Sequence, residues 1–378
     1  MNTTKQICTR CIYNSDVPRI SFDAQGVCSY CKIHDNLEKE YPLGSEGQRR
    51  LETLCHEIKT AGRGKRYDCV VGVSGGCDSS YLVYQLLELG LRPLAVHFDN
   101  TWNSPTATLN IYKVLEKLNV DLHTLVVSNR EYDDIYRSFM VSGVRDIESP
   151  TDIGLASTLY LAAEKHGIKY IIEGHSFRTE GISPLGWLYM DGKYTQSIHR
   201  QFGRVRMKTY PNMTLARFMR WTILRGIKRI RPLYYMTYNK EEVKQFLSSE
   251  FGWEWYGGHH LENRFTAFYH SYFLPQRFGI DTRALGFAAL ARSGQMSREE
   301  GLTLLATPPV CDPEILGLVK KRLRLSEAEF AAVMQAPHHH WTEFKTYKKT
   351  FERMRPLFYL LMKAGKVNES FYMKFCFP

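Results

Sequence analysis

Ser74-Gly75-Gly76-Cys77-Asp78-Ser79-Ser80 gathers residues that handle phosphate. Two adjacent glycines let the backbone come close to a ligand. Ser74, Ser79 and Ser80 supply hydroxyls, and Asp78 supplies a carboxylate able to hold magnesium against phosphate oxygens. The Walker pattern G-x-x-x-x-G-K-[ST] is absent, and the loop holds no lysine. A second cluster lies near the N-terminus. Cys8-Thr9-Arg10-Cys11 and Cys28-Ser29-Tyr30-Cys31 are C-x-x-C pairs at the spacing of a four-cysteine zinc site. Each turn aims two thiolates at one ion, and two turns close a tetrahedron with no open position, so the metal reads as structural. An iron–sulfur cluster and four free thiols are the competing readings.

These residues need elements to position them. Cys69-Val70-Val71-Gly72-Val73 reads as a buried strand, and Tyr81 to Leu89 has helical periodicity with a stop at Gly90. The serine–glycine loop therefore joins a strand end to a helix start, where unpaired N–H groups and the helix dipole favour an anion. The strand–helix alternation continues through Pro93 to Asp99, Leu122 to Val127 and Lys169 to His175. Helices are expected over Gln48 to Lys59, Thr106 to Leu118 and Asp152 to His166. This order predicts a parallel sheet with helices on both faces. Ligands in such sheets sit beyond the carboxyl ends of the strands, so the loops after Val73, Phe98, Val127 and Glu173 should surround one site. The second of these brings His97, Asp99, Asn100 and Trp102. The fourth brings Gly174, His175, Arg178 and Glu180, with His175 and Arg178 expected to meet a phosphate or a substrate carbonyl. Asp152 opens a helix after Pro150-Thr151, and helix capping is its alternative account.

The totals bound the rest. The chain has 378 residues, 44% hydrophobic and 24% charged, which suits a soluble globular protein of two or three domains. No apolar run is long enough to span a bilayer, and Met1 to Gln6 lacks the apolar core of a signal peptide, so a cytoplasmic location is expected. The net charge of +11 calls for an anionic partner without choosing among nucleotide, sugar nucleotide, RNA and acidic protein. Nine cysteines, four of them in one N-terminal group, favour metal over disulfides. The segment from Gly192 to Lys240 holds no acidic residue and many arginines, and reads as an anion-facing surface. Trp253 to Phe265 is aromatic and rich in glycine and ionisable groups. His259, His260 and Glu262 match no standard metal spacing, so this stretch reads as a substrate-facing loop. The remainder is helical, with capping-box spacing at Ser297/Glu300 and Ser326/Glu329. Boundaries follow at 1–45 for a zinc-binding module, 46–250 for the sheet domain and 251–378 for a mostly helical substrate- or partner-binding region.

Ser-Gly-Gly-x-Asp-Ser after a strand resembles the pyrophosphate (PP) loop of the ATP pyrophosphatases, which cut ATP between the α- and β-phosphates. That resemblance implies a doubly wound α/β sheet, with Ser74, Gly75, Gly76, Asp78, Ser79, Ser80 and Gly174 at the phosphates. It gives His97, Asp99 and Asn100 to the nucleotide. Nearly the whole chain resembles the N-acetyl sugar amidotransferases of surface-polysaccharide and lipopolysaccharide O-antigen biosynthesis. The resemblance runs through the cysteine pairs, Ser74 to Ser80, Ala95 to Ser104, Pro150 to Asp152, Glu173 to Gly181 and Tyr256 to Phe265. It implies conversion of an acetamido group on a nucleotide-linked sugar to an acetamidino group, using ATP and magnesium. Ammonia would come from a glutaminase through a cyclase-like subunit, and no nucleic acid partner is implied. Asp78, His175 and Arg178 then stand as catalytic residues. Trp102, Asp152, Glu180, His260, Glu262 and Arg264 stand at the substrate. The alternatives are a tRNA thiolase, to which the loop and zinc motifs also bear likeness, and a nucleotide-binding assembly scaffold. Against the thiolase, no second C-x-x-C follows the loop, and Cys311 and Cys376 stand alone. Cys77, at the loop's variable position, reads as a small packing residue.

Overall fold

The computed structural model describes residues 5–258 and 261–377. Its centre is a five-stranded parallel sheet of order β3-β2-β1-β4-β5. The strands are β1 (Cys69–Gly72), β2 (Pro93–Asp99), β3 (Leu122–Val126), β4 (Tyr170–Ile172) and β5 (Lys228–Ile230). Alternation along each strand sorts its side chains between two cores. Val70, Leu94, Val96, Phe98 and Ile171 join one cluster, whereas Cys69, Val71, Val73, Ala95 and Ile172 join the other. A sheet covered on both faces reads as continuous apolar runs, as Cys69 to Val73 does.

Helices α1 (Ser29–Glu40) and α2 (Gly44–Ala61) precede the sheet. Helices α3 (Cys77–Glu88) and α4 (Pro105–Lys117) follow β1 and β2, α5 (Asn129–Val141) and α6 (Ser149–Lys165) lie between β3 and β4, and α7 (Gly192–Phe202) and α8 (Leu215–Met219) precede β5. Side chains of α2, α3 and α4 enter one core, and those of α5, α6 and α7 enter the other. The predicted helix bounds are met within a few residues, except that α2 starts earlier, at Gly44. Ser104 caps α4 by accepting the Ala107 N–H at 3.1 Å, with Pro105 at the first helical position.

Beyond the sheet, α9 (Lys240–Phe251) is capped by Asn239, which accepts the Glu241 and Glu242 N–H groups. Then come α10 (Arg264–Phe268), a π-helical stretch over Tyr269–Phe278, and α11 (Arg283–Arg292). The predicted capping boxes start α12 (Arg298–Ala306) and α14 (Glu327–Gln335), on either side of α13 (Pro313–Leu323). At Ser326 the box is complete, whereas at Ser297 the serine accepts the Glu300 N–H. Helices α15 (Lys348–Arg353), α16 (Arg355–Lys363) and α17 (Glu369–Phe375) end the chain. Their Phe351, Phe358, Phe371 and Phe375 pack on the core that holds α5 and α6.

Candidate active site and metal centre

The serine–glycine loop spans the gap between β1 and α3. Gly75 has φ +82°, and a Cβ there would lie 2.0 Å from the Ala107 carbonyl oxygen, so only glycine fits. Gly76 is the extended N-cap of α3. The serines close the loop on itself. Ser79 Oγ donates to the Gly76 carbonyl at 3.2 Å and accepts the Ser74 N–H at 3.3 Å, while Gly76 N–H donates to Ser74 Oγ at 3.3 Å. From outside, the Trp253 indole N–H donates to the Gly75 carbonyl at 2.9 Å. Gly174, at the end of β4, runs alongside: a Cβ there would sit 3.6 Å from the Ser79 nitrogen.

Asp78 is engaged differently from the sequence reading. Its carboxylate accepts a short hydrogen bond from the Tyr238 hydroxyl and an ion pair from Lys240 Nζ at 3.0 Å. A magnesium ion at Asp78 would have to share that carboxylate with Lys240. Burial opposes the charge on Lys240, but Asp78 and Glu180 outweigh it and raise its pKa. The cation missing from the loop is thus delivered from the start of α9. Lys240 was not among the candidate residues, because it meets Asp78 across 162 residues of sequence.

His175 keeps about a third of its side chain exposed and stands between Tyr234 and Glu180. Its Nδ1 lies 3.0 Å from the Tyr234 hydroxyl, and Nε2 lies 3.8 Å from Glu180. Desolvation first, then the Arg231 guanidinium, push its pKa down to about 3. It is a neutral imidazole near pH 7, not a phosphate-binding cation. Arg178 departs from its expected role. Its Nη1 and Nη2 donate to the Tyr234 and Tyr41 carbonyls, both at 2.8 Å, and its guanidinium stacks on Phe177. Buried and so engaged, it is a strut that ties the loop after β4 to α1 and to the turn after β5. Cys77 is a buried thiol, its pKa pushed up to about 12 by burial and then by Asp78, and its Sγ lies 3.6 Å from the Tyr238 hydroxyl. It packs under the loop, as read.

The group after β2 is mostly structural. His97 Nδ1 donates to the Val73 carbonyl at 2.9 Å and Nε2 accepts from Asn103 at 3.3 Å, with burial lowering its pKa. Both ring nitrogens are spent on bracing the end of β1, which removes them from a nucleotide. Asp99 closes a turn on the Thr101 N–H at 2.7 Å. Asn100 is buried, and its Oδ1 accepts from Trp102 N–H and Asn263 Nδ2. Trp102 is fully buried, bonded to Asp133 at 2.9 Å and covered by Arg322. It is a core anchor, not a substrate platform.

The segment after α9 arrives at the loop instead. A Cβ on Gly76 would meet the Tyr256 hydroxyl at 3.2 Å and Glu262 Oε1 at 3.6 Å. Ser104 N–H donates to the Glu262 carbonyl at 2.7 Å, and Arg264 N–H donates to the Trp102 carbonyl at 2.8 Å. Glu262 therefore stands at the loop's mouth, together with Tyr256, which sequence reasoning missed. Arg264 is half-buried at the start of α10, and His260 lies outside the described residues. Asp152 is exposed in the first turn of α6, at a cavity of about 300 Å³ walled by Leu155, Leu159, Phe218 and Phe371, whose lining includes none of the residues of the serine–glycine loop. Gly174, His175, Glu180, Lys240, Tyr256 and Glu262 thus gather around Ser74 to Ser80. Trp102 and Arg178 lie outside that group.

The four N-terminal cysteines converge. All are buried, and their Sγ atoms lie within 4.8 Å of one another. Cys8–Cys31, Cys11–Cys28 and Cys28–Cys31 separations are 3.8, 3.7 and 3.6 Å. Zinc–sulfur bonds of about 2.3 Å give a tetrahedral edge of about 3.8 Å, so these residues fit a single zinc ion. Backbone N–H groups of Arg10, Cys11 and Cys28 point to Cys8 Sγ, and Arg292 donates to Cys11 Sγ at 3.3 Å. Those donors suit thiolate charge. Isolated antiparallel bridges pair Phe22 with Cys28 and Ile7 with Asn14 around the cluster.

Comparison with known proteins adds relatives. Residues 262–357 match the family described as LPS biosynthesis protein WbpG-like, C-terminal domain. The tRNA-specific 2-thiouridylase MnmA of Proteus mirabilis (strain HI4320) is 30% identical over 127 residues, 30% of this chain and 35% of that protein. Its counterpart in Klebsiella pneumoniae (strain 342) is 29% identical over 145 residues, 34% of this chain and 39% of that one. The matches span well under half the length of these curated relatives. Among solved structures, NMN synthetase from Francisella tularensis aligns over 75% of this chain and 94% of its own, at 14% identity and a TM-score of 0.34. The NH3-dependent NAD synthetase from Campylobacter jejuni aligns over 78% and 99%, at 15% identity and a TM-score of 0.32. The match over residues 262–357 bears out the resemblance to the enzymes of surface-polysaccharide biosynthesis.

Proposed function

We propose that this chain, which carries the C-terminal domain of the WbpG-like lipopolysaccharide proteins, is an ATP-dependent amidotransferase acting on an acetamido sugar linked to a nucleotide. The carrying observation is the meeting of Glu262, where that domain begins, with the mouth of the Ser74–Ser80 loop. The phosphate loop and the sugar-specific part of the chain then serve one reaction.

An amide carbonyl is a poor electrophile, so its oxygen must first carry a better leaving group. In this reading the first N–H groups of α3 and the loop serines hold the β- and γ-phosphates of ATP, and Lys240 offsets their charge. Asp78 and Glu180 fix Lys240 in place, and Asp78 would also hold magnesium, which supplies further charge neutralisation. The amide oxygen attacks the α-phosphorus and pyrophosphate leaves. Ammonia then displaces AMP and leaves an acetamidino group. A partner glutaminase and a cyclase-like subunit are the proposed ammonia source. Zinc at Cys8, Cys11, Cys28 and Cys31 would tie the N-terminal segment to α11.

A tRNA thiolase is favoured by one observation, the matched stretch shared with the 2-thiouridylases. Against it, Cys77 is a buried thiol held protonated, and thiolate is the form sulfur transfer needs. Phosphorus NMR separates the readings. AMP and pyrophosphate should form from ATP only when an acetamido-sugar nucleotide and ammonium are both present. ADP formation, or turnover that depends on tRNA, would sink the proposal.

A further inference from the structure

A buried polar seam leads away from the loop mouth. It starts at Glu262 and continues to Asn263, whose Nδ2 donates to Asn100 Oδ1 at 3.0 Å and whose Oδ1 accepts the Thr266 N–H at 3.2 Å. The Thr266 hydroxyl then donates to Glu148 Oε2 at 3.1 Å. Glu148 is the N-cap of α6, and its side chain is only 8% exposed. Its other oxygen, Oε1, has no hydrogen-bond partner among the described residues, and neither has Ser149 Oγ nor the Tyr269 hydroxyl, both buried beside it. Leaving such groups unmatched in a core is costly, and a bound ligand or a reaction that uses them is one reason a fold keeps them. The seam lies at the carboxyl edge of the sheet, where the helices following parallel strands begin, and Thr266 and Tyr269 belong to the stretch matched to the WbpG-like domain.

We propose that this seam receives the acetamido group and the incoming ammonia, and that Glu148 is the carboxylate that takes a proton from the attacking nitrogen. The inference rests on the amidotransferase reading. The ammonia lone pair forms the new C–N bond on the adenylated amide carbon. Glu148 removes one proton from that nitrogen, whose freed lone pair expels AMP as the C–O bond breaks. The product is an amidinium, and the proton leaves Glu148 to solvent.

The electrostatics suit this role. Burial first, then Asp152 on the same helix, push Glu148 up to about 7, so it exchanges a proton near neutral pH. Tyr132 and Tyr136 of α5 and Tyr269 face it with their pKa values raised, and stay neutral. Asp146 is pushed up to about 6, and Lys374 of α17 acts on Asp146 and Asp152.

Glu148→Gln keeps shape and removes the proton acceptor. Assayed at constant free ammonia, amidine formation should fall about 100-fold or more. Thr266→Val removes a donor to the carboxylate, so the rising limb of the pH–rate profile should move to higher pH. In the ligand-free chain, stability should decline as pH rises from about 4.5 to about 7, because the folded state holds the Glu148 proton longer; Glu148→Gln should remove the part between about 6 and 7 and leave the lower part that Asp146 supplies. Equal amidine formation by parent and Glu148→Gln overturns this inference alone. A parent that forms no acetamidino product overturns the amidotransferase reading and this inference with it.

Discussion

Lys240 is the residue on which the phosphate loop depends. It reaches Asp78 from far along the chain, so no local window could have assigned it. Lys240→Gln should cut ATP turnover about 100-fold or more, by removing a preorganised positive charge. It should also cost about 2–4 kcal/mol, because Asp78 is left partly buried without its cation. Adding Asp78→Asn should recover most of that stability and none of the activity, as thermal melts and an AMP assay would show. Activity surviving in the single variant would mean that Lys240 only packs. His175 gives a prediction with a definite sign. Its folded pKa is depressed from 6.5 to about 3, so its contribution to stability is full above about 6.5 and is lost as pH falls toward 3. His175→Gln should be less sensitive than the parent to acid across that window, by melting temperature. An identical acid dependence would show that the imidazole is not desolvated in the folded state.

Elements were legible in the sequence where one local rule decided them. The apolar run at Cys69 to Val73 marked a strand, and the capping pairs at Ser297/Glu300 and Ser326/Glu329 marked the starts of α12 and α14. The paired cysteines were equally plain, since ligand spacing is local. Side-chain roles near β2 were not legible. His97 and Trp102 sit on the predicted edge, but the fold spends them on Val73, Asn103 and Asp133, all partners that tertiary packing selects. The cysteine module has a small apolar cluster in which Ile12, Tyr13, Val17 and Tyr30 meet Trp187, Ala284 and Ala288. A metal at the four cysteines would add to the cohesion of so small a core. Purified protein should carry about one zinc per chain, and Cys28→Ser should lose it along with the packing of α11. Elemental analysis finding iron, or folded protein without metal, would contradict this.

At the scale of the molecule, the acid-free segment proves to be two things. Arg220 and Arg225 pair with Glu164, Arg229 and Arg231 pair with Glu173, and Lys240 pairs with Asp78. Those cations hold the sheet's later half together and are not an anion-facing surface. Arg200, Arg204, Arg206 and Lys208 are exposed, the first three around a shallow cleft of about 480 Å³. The backbone under them is pinned by buried Asp134, which accepts from the Arg204 and Val205 N–H groups, and by Glu131, which accepts from Lys208, Thr209 and Tyr210. A count of charges along the chain could not see acids supplied by other helices. What joins the whole is the seating of Tyr256 and Glu262 against the serine–glycine loop and of Arg264 against Trp102, which brings the C-terminal helices to the carboxyl edge of the sheet.

The most direct test of the central claim uses ¹⁵N-ammonium with ATP, magnesium and a panel of acetamido-sugar nucleotides. The account predicts a sugar nucleotide in which one acetamido oxygen is replaced by labelled NH, formed in step with AMP. Labelled nitrogen appearing nowhere in the sugar, while ATP is still cleaved to AMP, would contradict it.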